Sequence, residues 1–163
     1  MSRRDDQAAE RILRHWQTEF PNDRLAHLVR DASRVLAKSL QARLAEYSVS
    51  FGHWSFLRVL WYSEGLTQRE LSEEVGLMEP TTYTALKAME KKGLIERRHQ
   101  GGNQKNLHIY LTDKGRALKD ELIPIAEELN EISVRGLSEE ERRMVHYGLL
   151  TIIRNLFEAG AVS

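Results

Sequence analysis

The chain of 163 residues contains no cysteine, only three prolines and six scattered histidines. Without cysteine it can form no disulfide, offer no thiolate nucleophile and use no cysteine redox sensor. No two histidines have the spacing of paired ligands on a helix, so we expect no metal site and no cofactor. No apolar run approaches the ~18 residues that span a bilayer. The N-terminus also lacks a signal-peptide core, so we expect a cytoplasmic protein.

The formal net charge is zero, but the charges are distributed unevenly along the chain. Residues 81–119 carry nine basic and three acidic side chains, whereas residues 120–163 carry four basic and nine acidic ones. A basic segment inside a neutral chain is typical of a surface that binds a polyanion such as DNA. A solvated run of charges without such a role is the alternative that composition leaves open.

Residues 66–93 have the order of parts of a helix-turn-helix. Thr67 and Glu70 have the spacing of a capping box, in which each satisfies a free amide at the start of a helix. Gly76 permits a tight turn, and Pro80 suits the first turn of a second helix that extends to Lys92. The pattern assigns Thr82, Ala85, Leu86 and Met89 to the core side of this helix. The outer side carries hydroxyl, aromatic and lysine groups in place of Glu/Lys pairs, which favours a surface that reads DNA over an ordinary solvated face.

Two apolar runs, residues 94–98 and 107–111, are predicted to pair as strands. The segment between them, residues 99–106, is polar and rich in glycine, and we expect a flexible tip there. Arg97, Arg98 and Lys105 are expected to contact phosphates or to enter a minor groove.

Helices with apolar stripes are predicted on both sides of this region: residues 4–19, 25–47 and 54–62 before it, and two long helices after Thr112. We expect Ser50–Gly52 to interrupt the helices of the first half. Pro124 predicts a kink or local break in the first of the two long helices. Ser138 and Glu141 have the spacing of a second capping box, at the start of the last helix.

These motifs, in this order, resemble the MarR family of bacterial transcription regulators. The resemblance covers roughly residues 25–157, and its most specific parts are Leu66–Leu71, Met89–Arg97 and Leu111–Gly115. It implies a homodimer in which the terminal helices of two chains interlock and each chain presents one winged lobe to a pseudo-palindromic operator. Many members repress genes and release DNA when a small phenolic or other aromatic ligand binds. The wing departs from the family pattern, because Asn103, Gln104 and Lys105 stand where an Asp followed by Arg is usual.

We therefore predict a mainly α fold with a small β-wing, divided into three parts. Residues 1–48 form N-terminal helices for dimerisation and support, residues 50–115 the winged helix-turn-helix lobe, and residues 116–163 the C-terminal dimerisation helices. The expected DNA contacts are Thr67, Gln68, Thr81, Tyr83, Thr84, Lys87, Ala88, Lys91, Arg97, Arg98, Gln104 and Lys105. The expected dimer contacts are Ile12, Leu122, Ile125, Leu129, Leu149, Ile153 and Leu156, since a small winged lobe cannot cover the apolar stripes of the terminal helices alone.

Aromatic and polarisable groups cluster in two segments, and from them we predict a ligand site formed by His15, Trp16, His53, Trp54 and Arg58. Such a pocket suits an aromatic acid or its thioester, with Arg58 facing the carboxylate. The alternative is that the tryptophans belong to the core.

The function predicted from these patterns is a homodimeric, ligand-responsive repressor whose partners are double-stranded DNA, a second copy of the chain and a small aromatic effector. A winged-helix adaptor that binds protein is the alternative, but it needs neither a basic wing nor a polar recognition face. An enzyme is not expected, because no catalytic triad order, phosphate loop or metal cluster is found in the sequence.

Overall fold

The computed structural model describes residues 10, 13–14, 25–100 and 103–161, and for residues 100 and 103–106 the backbone alone. The predicted helix at residues 4–19 therefore lies almost entirely outside the described residues. The helices are α1 (Leu25–Leu44), α2 (Phe51–Leu60), α3 (Gln68–Val75), α4 (Glu79–Lys91), α5 (Asp113–Ser133) and α6 (Glu139–Glu158). The strands are β1 (Leu66–Thr67), β2 (Ile95–Gln100) and β3 (Asn103–Leu111). This confirms the predicted fold class, a mainly helical chain with a small wing.

The junction between α1 and α2 is shorter than the sequence pattern predicts. Helix α1 ends at Leu44 and continues as a 3₁₀ turn to Tyr47. Helix α2 starts at Phe51 rather than Trp54, because the Ser50 side chain accepts a hydrogen bond from the His53 amide, 3.1 Å away. A serine at this position satisfies an amide that would otherwise lack a partner, so the helix extends back through Gly52.

The wing is built from strands that are longer than predicted. In the described residues β3 lies at the centre of an antiparallel sheet ordered β1-β3-β2. Backbone pairing of β2 with β3 extends from Ile95 opposite Leu111 to Gln100 opposite Asn103, so the predicted tip at 99–106 is mostly strand. Composition suggested a loop there because polar residues and glycine are poor strand formers, but ladder hydrogen bonds outweigh that preference. The short strand β1 was not predicted.

One hydrophobic core joins the winged lobe to the helices around it. It is formed by Phe56, Leu57 and Leu60 of α2, Leu71 of α3, Leu86 and Met89 of α4, Ile95, Ile109 and Leu111 of the sheet, and Leu122 of α5, all nearly inaccessible to solvent. Because these side chains come from six elements, the orientation of α4 is fixed by packing on every neighbouring element.

The long helices after the wing begin where the sequence places their caps. The Thr112 side chain accepts a hydrogen bond from the Gly115 amide, 3.1 Å away. Ser138 and Glu141 form the predicted capping box. Of the predicted kink or local break at Pro124, the break is wrong, since α5 continues through Pro124 to Ser133. Within the described residues, no helix is both long and apolar enough to cross a membrane.

Candidate nucleic-acid interface

The first helix of the helix-turn-helix, α3, is fixed at both ends by local contacts. The Thr67 amide donates to Glu70 Oε2 at 2.7 Å, and the Glu70 amide donates to Thr67 Oγ1 at 3.3 Å. The hydrogen bonds that the Thr67 amide and hydroxyl donate to the Glu70 carboxylate lower the pKa of that carboxyl. At the other end Gly76 takes a φ of +70°, and the Leu77 amide then bonds Ser72 O at 3.0 Å. The capping box and the glycine turn confirm the sequence prediction for this motif.

Helix α4 has the two faces that its sequence predicts. Thr82, Leu86 and Met89 are buried, and Ala85 is half-buried against the core. The predicted reading surface is on the outside: Thr81, Tyr83, Thr84, Lys87 and Lys91 are exposed, and Ala88 is partly exposed. Two lysines on an exposed helix face supply positive charge where a helix can enter a DNA groove.

Arg97 of β2 does not extend freely into solvent as the sequence suggested. Its guanidinium donates to Glu90 Oε2 of α4, through Nε at 3.2 Å and through Nη2. Only 21% of the Arg97 side chain is exposed. The Arg97 hydrogen bond lowers the pKa of the Glu90 carboxyl, and Glu90 in turn raises that of Arg97. Arg97 therefore ties the wing to α4. The prediction that it contacts a phosphate is corrected, because its guanidinium is already bound to Glu90.

Arg98, the next residue along β2, lies differently. Its guanidinium carbon is 4.7 Å from the centre of the Tyr110 ring and its Nη2 pairs with Glu96. The side chain is 53% exposed, so it remains able to reach a phosphate. For Gln104 and Lys105 the structure gives the position on β3 but no side chain.

A hollow of about 500 Å³ separates α3 from the wing. Gln68 and Thr67, both predicted DNA contacts, line it together with Arg97. Arg69 and Glu79 also line it and were not predicted. The Arg69 guanidinium pairs with Glu73, one helical turn away, at 3.0 Å. The sequence could have indicated this contact, because an Arg and a Glu four residues apart on a helix commonly form an ion pair on its surface.

Glu64 is a further residue that the sequence did not mark. Its carboxylate receives two hydrogen bonds from Arg116, at 3.1 and 2.8 Å, and a third from the Leu111 amide at 3.0 Å. It thereby joins the loop after α2 to the end of β3 and the start of α5. No sequence pattern could find this contact, because its partners are 47 and 52 residues away.

The winged lobe coincides with a known family model. The model for the MarR family matches residues 49–107. A solved transcriptional regulator, PA3341, is 30% identical in sequence, with a TM-score of 0.73, over 82% of this chain and 98% of that protein. The chain belongs to the MarR family.

Two further proteins that are similar to this MarR chain are transcription regulators. TtmR of Methylorubrum extorquens (strain PA1), an HTH-type transcriptional regulator, is 27% identical over 122 residues; the match covers 75% of this chain but only 62% of that relative. MepR of S. aureus, solved as a complex with DNA, is 25% identical, with a TM-score of 0.76, over 85% of this chain and all of that one. Members of the family regulate transcription and are not enzymes.

A groove of about 850 Å³ in this MarR chain lies between α2 and the helices α1, α5 and α6. Trp54 and Arg58, two residues of the predicted ligand site, line it together with Phe51 and Tyr62. His15 and Trp16 lie outside the described residues.

His53 does not line the groove; it is buried on another side of α2, where burial and, secondly, the charge of Lys92 lower the pKa of its ring. The prediction failed because His53 and Trp54, though adjacent in sequence, point about 100° apart on a helix.

The predicted dimer contacts divide into two groups. Leu122 is 0% exposed and Ile125 8% exposed within a single chain, so both belong to the chain's own core and the prediction for them is wrong. Leu129 is half-buried against the same core. Leu149, Ile153 and Leu156 of α6 remain 42–52% exposed. Periodicity finds an apolar stripe but cannot tell which neighbour covers it. Ile12 lies outside the described residues.

Proposed function

We propose that this chain is a sequence-specific regulator that binds double-stranded DNA in the cytoplasm and represses transcription as a homodimer. The observation that carries the proposal is the exposed face of α4, with its hydroxyl groups and lysines, which lies beside a basic two-stranded wing on a buried scaffold. This arrangement suits a helix in a major groove and a hairpin beside it. The similarity to MepR, solved with DNA bound, supports it.

DNA binding is tested by fluorescence anisotropy with labelled duplex from upstream of the chain's own gene, titrated at several salt concentrations. Because released counterions dominate such binding, we expect affinity to fall steeply with salt and to resist a scrambled competitor. Equal, weak affinity for both duplexes would contradict a specific operator in that segment, and selection from a random duplex library then decides whether the protein is specific at all.

The homodimer is proposed from helix α6. None of its 20 residues is buried, although it carries Leu149, Ile153 and Leu156. Helix α1 likewise exposes Leu25, Leu28 and Leu36. Each such side chain gains ~1.5–3 kcal/mol when it is removed from water, and exposure of so many together favours association. A second copy supplies a matching surface by two-fold symmetry.

Two-fold symmetry has a geometric consequence for the operator. We expect equivalent contacts about 10 base pairs apart or at multiples of that spacing. Light scattering coupled to size exclusion should give twice the mass of the 18.9 kDa chain. A monomer at micromolar concentration would contradict the dimer without affecting the assignment of the winged lobe.

We further propose that the groove beside α2 binds a small aromatic acid or a related phenol or thioester. It is mostly apolar, and the Arg58 side chain can pair with a carboxylate while Trp54, Phe51 and Tyr62 contact the ring. Because α1 and α6 line the same groove, a second copy that packs on them would narrow it around the ligand.

The ligand is tested with benzoate as the probe and cyclohexanecarboxylate as the non-aromatic control. We expect benzoate to quench tryptophan fluorescence and to release bound DNA, and Arg58→Gln to weaken both effects. The Trp54 and Trp61 rings are in edge contact at 5.6 Å, so a ligand beside Trp54 should alter the emission of the pair. Equal responses to both acids would contradict an aromatic site.

A further inference from the structure

The most outward stripe of α4 divides into two chemically different halves. Successive residues of an α-helix point 100° apart, and Thr82, Leu86 and Met89 fix the inner side. The residues diametrically opposite are therefore Pro80, Thr84, Lys87 and Lys91. The N-terminal half of this stripe presents a proline ring and a threonine, and the C-terminal half presents two ammonium groups.

The hydroxyl of Thr84 is already engaged. Its Oγ1 donates to the carbonyl oxygen of Pro80 at 3.0 Å, which is the usual way for a threonine within a helix to satisfy its hydroxyl. With its proton donated to the backbone, Oγ1 cannot donate to a base and keeps only acceptor lone pairs, while the methyl group of this exposed side chain is free to contact carbon. Pro80 adds only ring carbons beside it. The first turns of the stripe therefore present mainly carbon atoms, those of a methyl group and a proline ring, to a base pair.

Two neighbouring guanidinium groups already hold acidic partners. Arg97 is bound to Glu90 on the wing side of α4, and Arg69 is paired with Glu73 on α3. Arginine and amide side chains are the groups that read guanine and adenine by paired hydrogen bonds. The feature of the major groove that contacts carbon favourably is the 5-methyl group of thymine.

We propose that Thr84, with Pro80 beside it, reads a thymine 5-methyl group in each operator half-site, while Lys87 and Lys91 lie toward the sugar-phosphate backbone. This inference rests on the proposed function, because it names the base feature that the same surface recognises. It predicts that operators of this protein hold thymine at a fixed position of each half-site.

The first test is selection of binding duplexes from a random library by the full-length protein. The selected duplex is then synthesised with uracil in place of thymine, one position at a time and in both half-sites together. Uracil lacks only the 5-methyl group. We expect one position at which affinity falls roughly fourfold per half-site, the effect of losing one buried methyl, and little change elsewhere.

Two matched variants assign that position to Thr84. Thr84→Ser keeps the hydroxyl and removes the methyl, so the thymine-to-uracil affinity ratio should fall from about fourfold to about one. Thr84→Val keeps methyl groups and removes the hydroxyl, and its ratio should stay near fourfold. Because each ratio compares two duplexes with the same protein, a variant that is partly unfolded still gives a valid result.

Three results would overturn the inference. Unchanged affinity when uracil replaces thymine at every position would show that the protein recognises no thymine 5-methyl group. A ratio retained by Thr84→Ser but lost by Thr84→Val would show that the hydroxyl acts as the reading group. Failure of the library to yield any preferred sequence would overturn the proposed function itself, and the inference with it.

Discussion

Arg97 on β2 and Glu90 on α4 form an ion pair between the wing and α4, with Arg97 Nε 3.2 Å from Glu90 Oε2 and Nη2 bonded to the same oxygen. The hydrogen bond to Glu90 raises the pKa of the Arg97 guanidinium. The guanidinium therefore faces the side of α4 rather than solvent. We infer that it sets the distance between α4 and the wing hairpin, which governs whether both can contact one duplex.

A change of Arg97 should consequently weaken DNA binding without changing its salt dependence. We expect Arg97→Gln to lower affinity while the slope of log K against log salt stays near the wild-type value. Lys91→Gln is the matched control, because loss of an exposed phosphate contact should reduce the slope by roughly one. Anisotropy titrations at four salt concentrations measure both. A slope reduced by one for Arg97→Gln would return this residue to the phosphate contacts.

Glu90→Gln should have the same effect as Arg97→Gln if the two act as a pair. The double variant is then expected to be little worse than either single variant, with a coupling free energy of roughly 0.5–3 kcal/mol. Strict additivity of the two losses in affinity would show that they act independently.

Gly115 is expected to tolerate no larger residue. A Cβ built there would lie 2.1 Å from the carbonyl oxygen of Leu94 and 3.1 Å from Cδ2 of Leu111, and neither the backbone nor the packed leucine can move freely. Gly115→Ala should lower the free energy of unfolding by about 1–3 kcal/mol or more. Gly52→Ala is the control, because in α2 the only nearby atom is Ser50 Oγ at 3.9 Å. That variant should be neutral or more stable by about 0.5–1 kcal/mol in urea denaturation.

His53 should make stability depend on pH. The residue is 9% exposed, and burial followed by the charge of Lys92 lowers the pKa of its ring from 6.5 in the folded chain. Below this ordinary value the unfolded chain takes up a proton that the folded chain does not, so stability present above about pH 6.5 is lost as pH falls. Urea midpoints across this range should decline less steeply for His53→Leu. Identical slopes for both proteins would contradict a buried neutral ring.

Leu122 and Ile153 should behave differently, although the sequence pattern places both at the dimer interface. Leu122 is fully buried in its own chain, so Leu122→Ala should cost about 2–5 kcal/mol of unfolding free energy. Ile153 is 52% exposed, so Ile153→Asp should leave the winged lobe folded and yield monomers in light scattering. Dimers that persist in Ile153→Asp would place the interface elsewhere.

Local signals in the sequence predicted the helix-turn-helix almost residue by residue. Thr67 with Glu70, Gly76, and Ser138 with Glu141 all act within four residues of one another, where backbone geometry depends little on the rest of the fold. The buried positions of α4 followed from helical periodicity for the same reason. The predicted tip of the wing was wrong in extent, because strand length depends on the partner strand as well as on local preference.

The sequence by itself thus determined where the helix-turn-helix and the two C-terminal helices start, and which side of α4 faces outward, but not where α2 starts. Only the tertiary structure decided that Arg97 pairs with Glu90, that Glu64 holds Arg116, and that Leu122 belongs to the core. The physical reason is that charge pairing and burial depend on distances between residues remote in the chain, which no local pattern encodes. The sequence shows which chemical groups a leucine stripe or a single arginine carries. The residues that surround them in the fold determine what those groups contact.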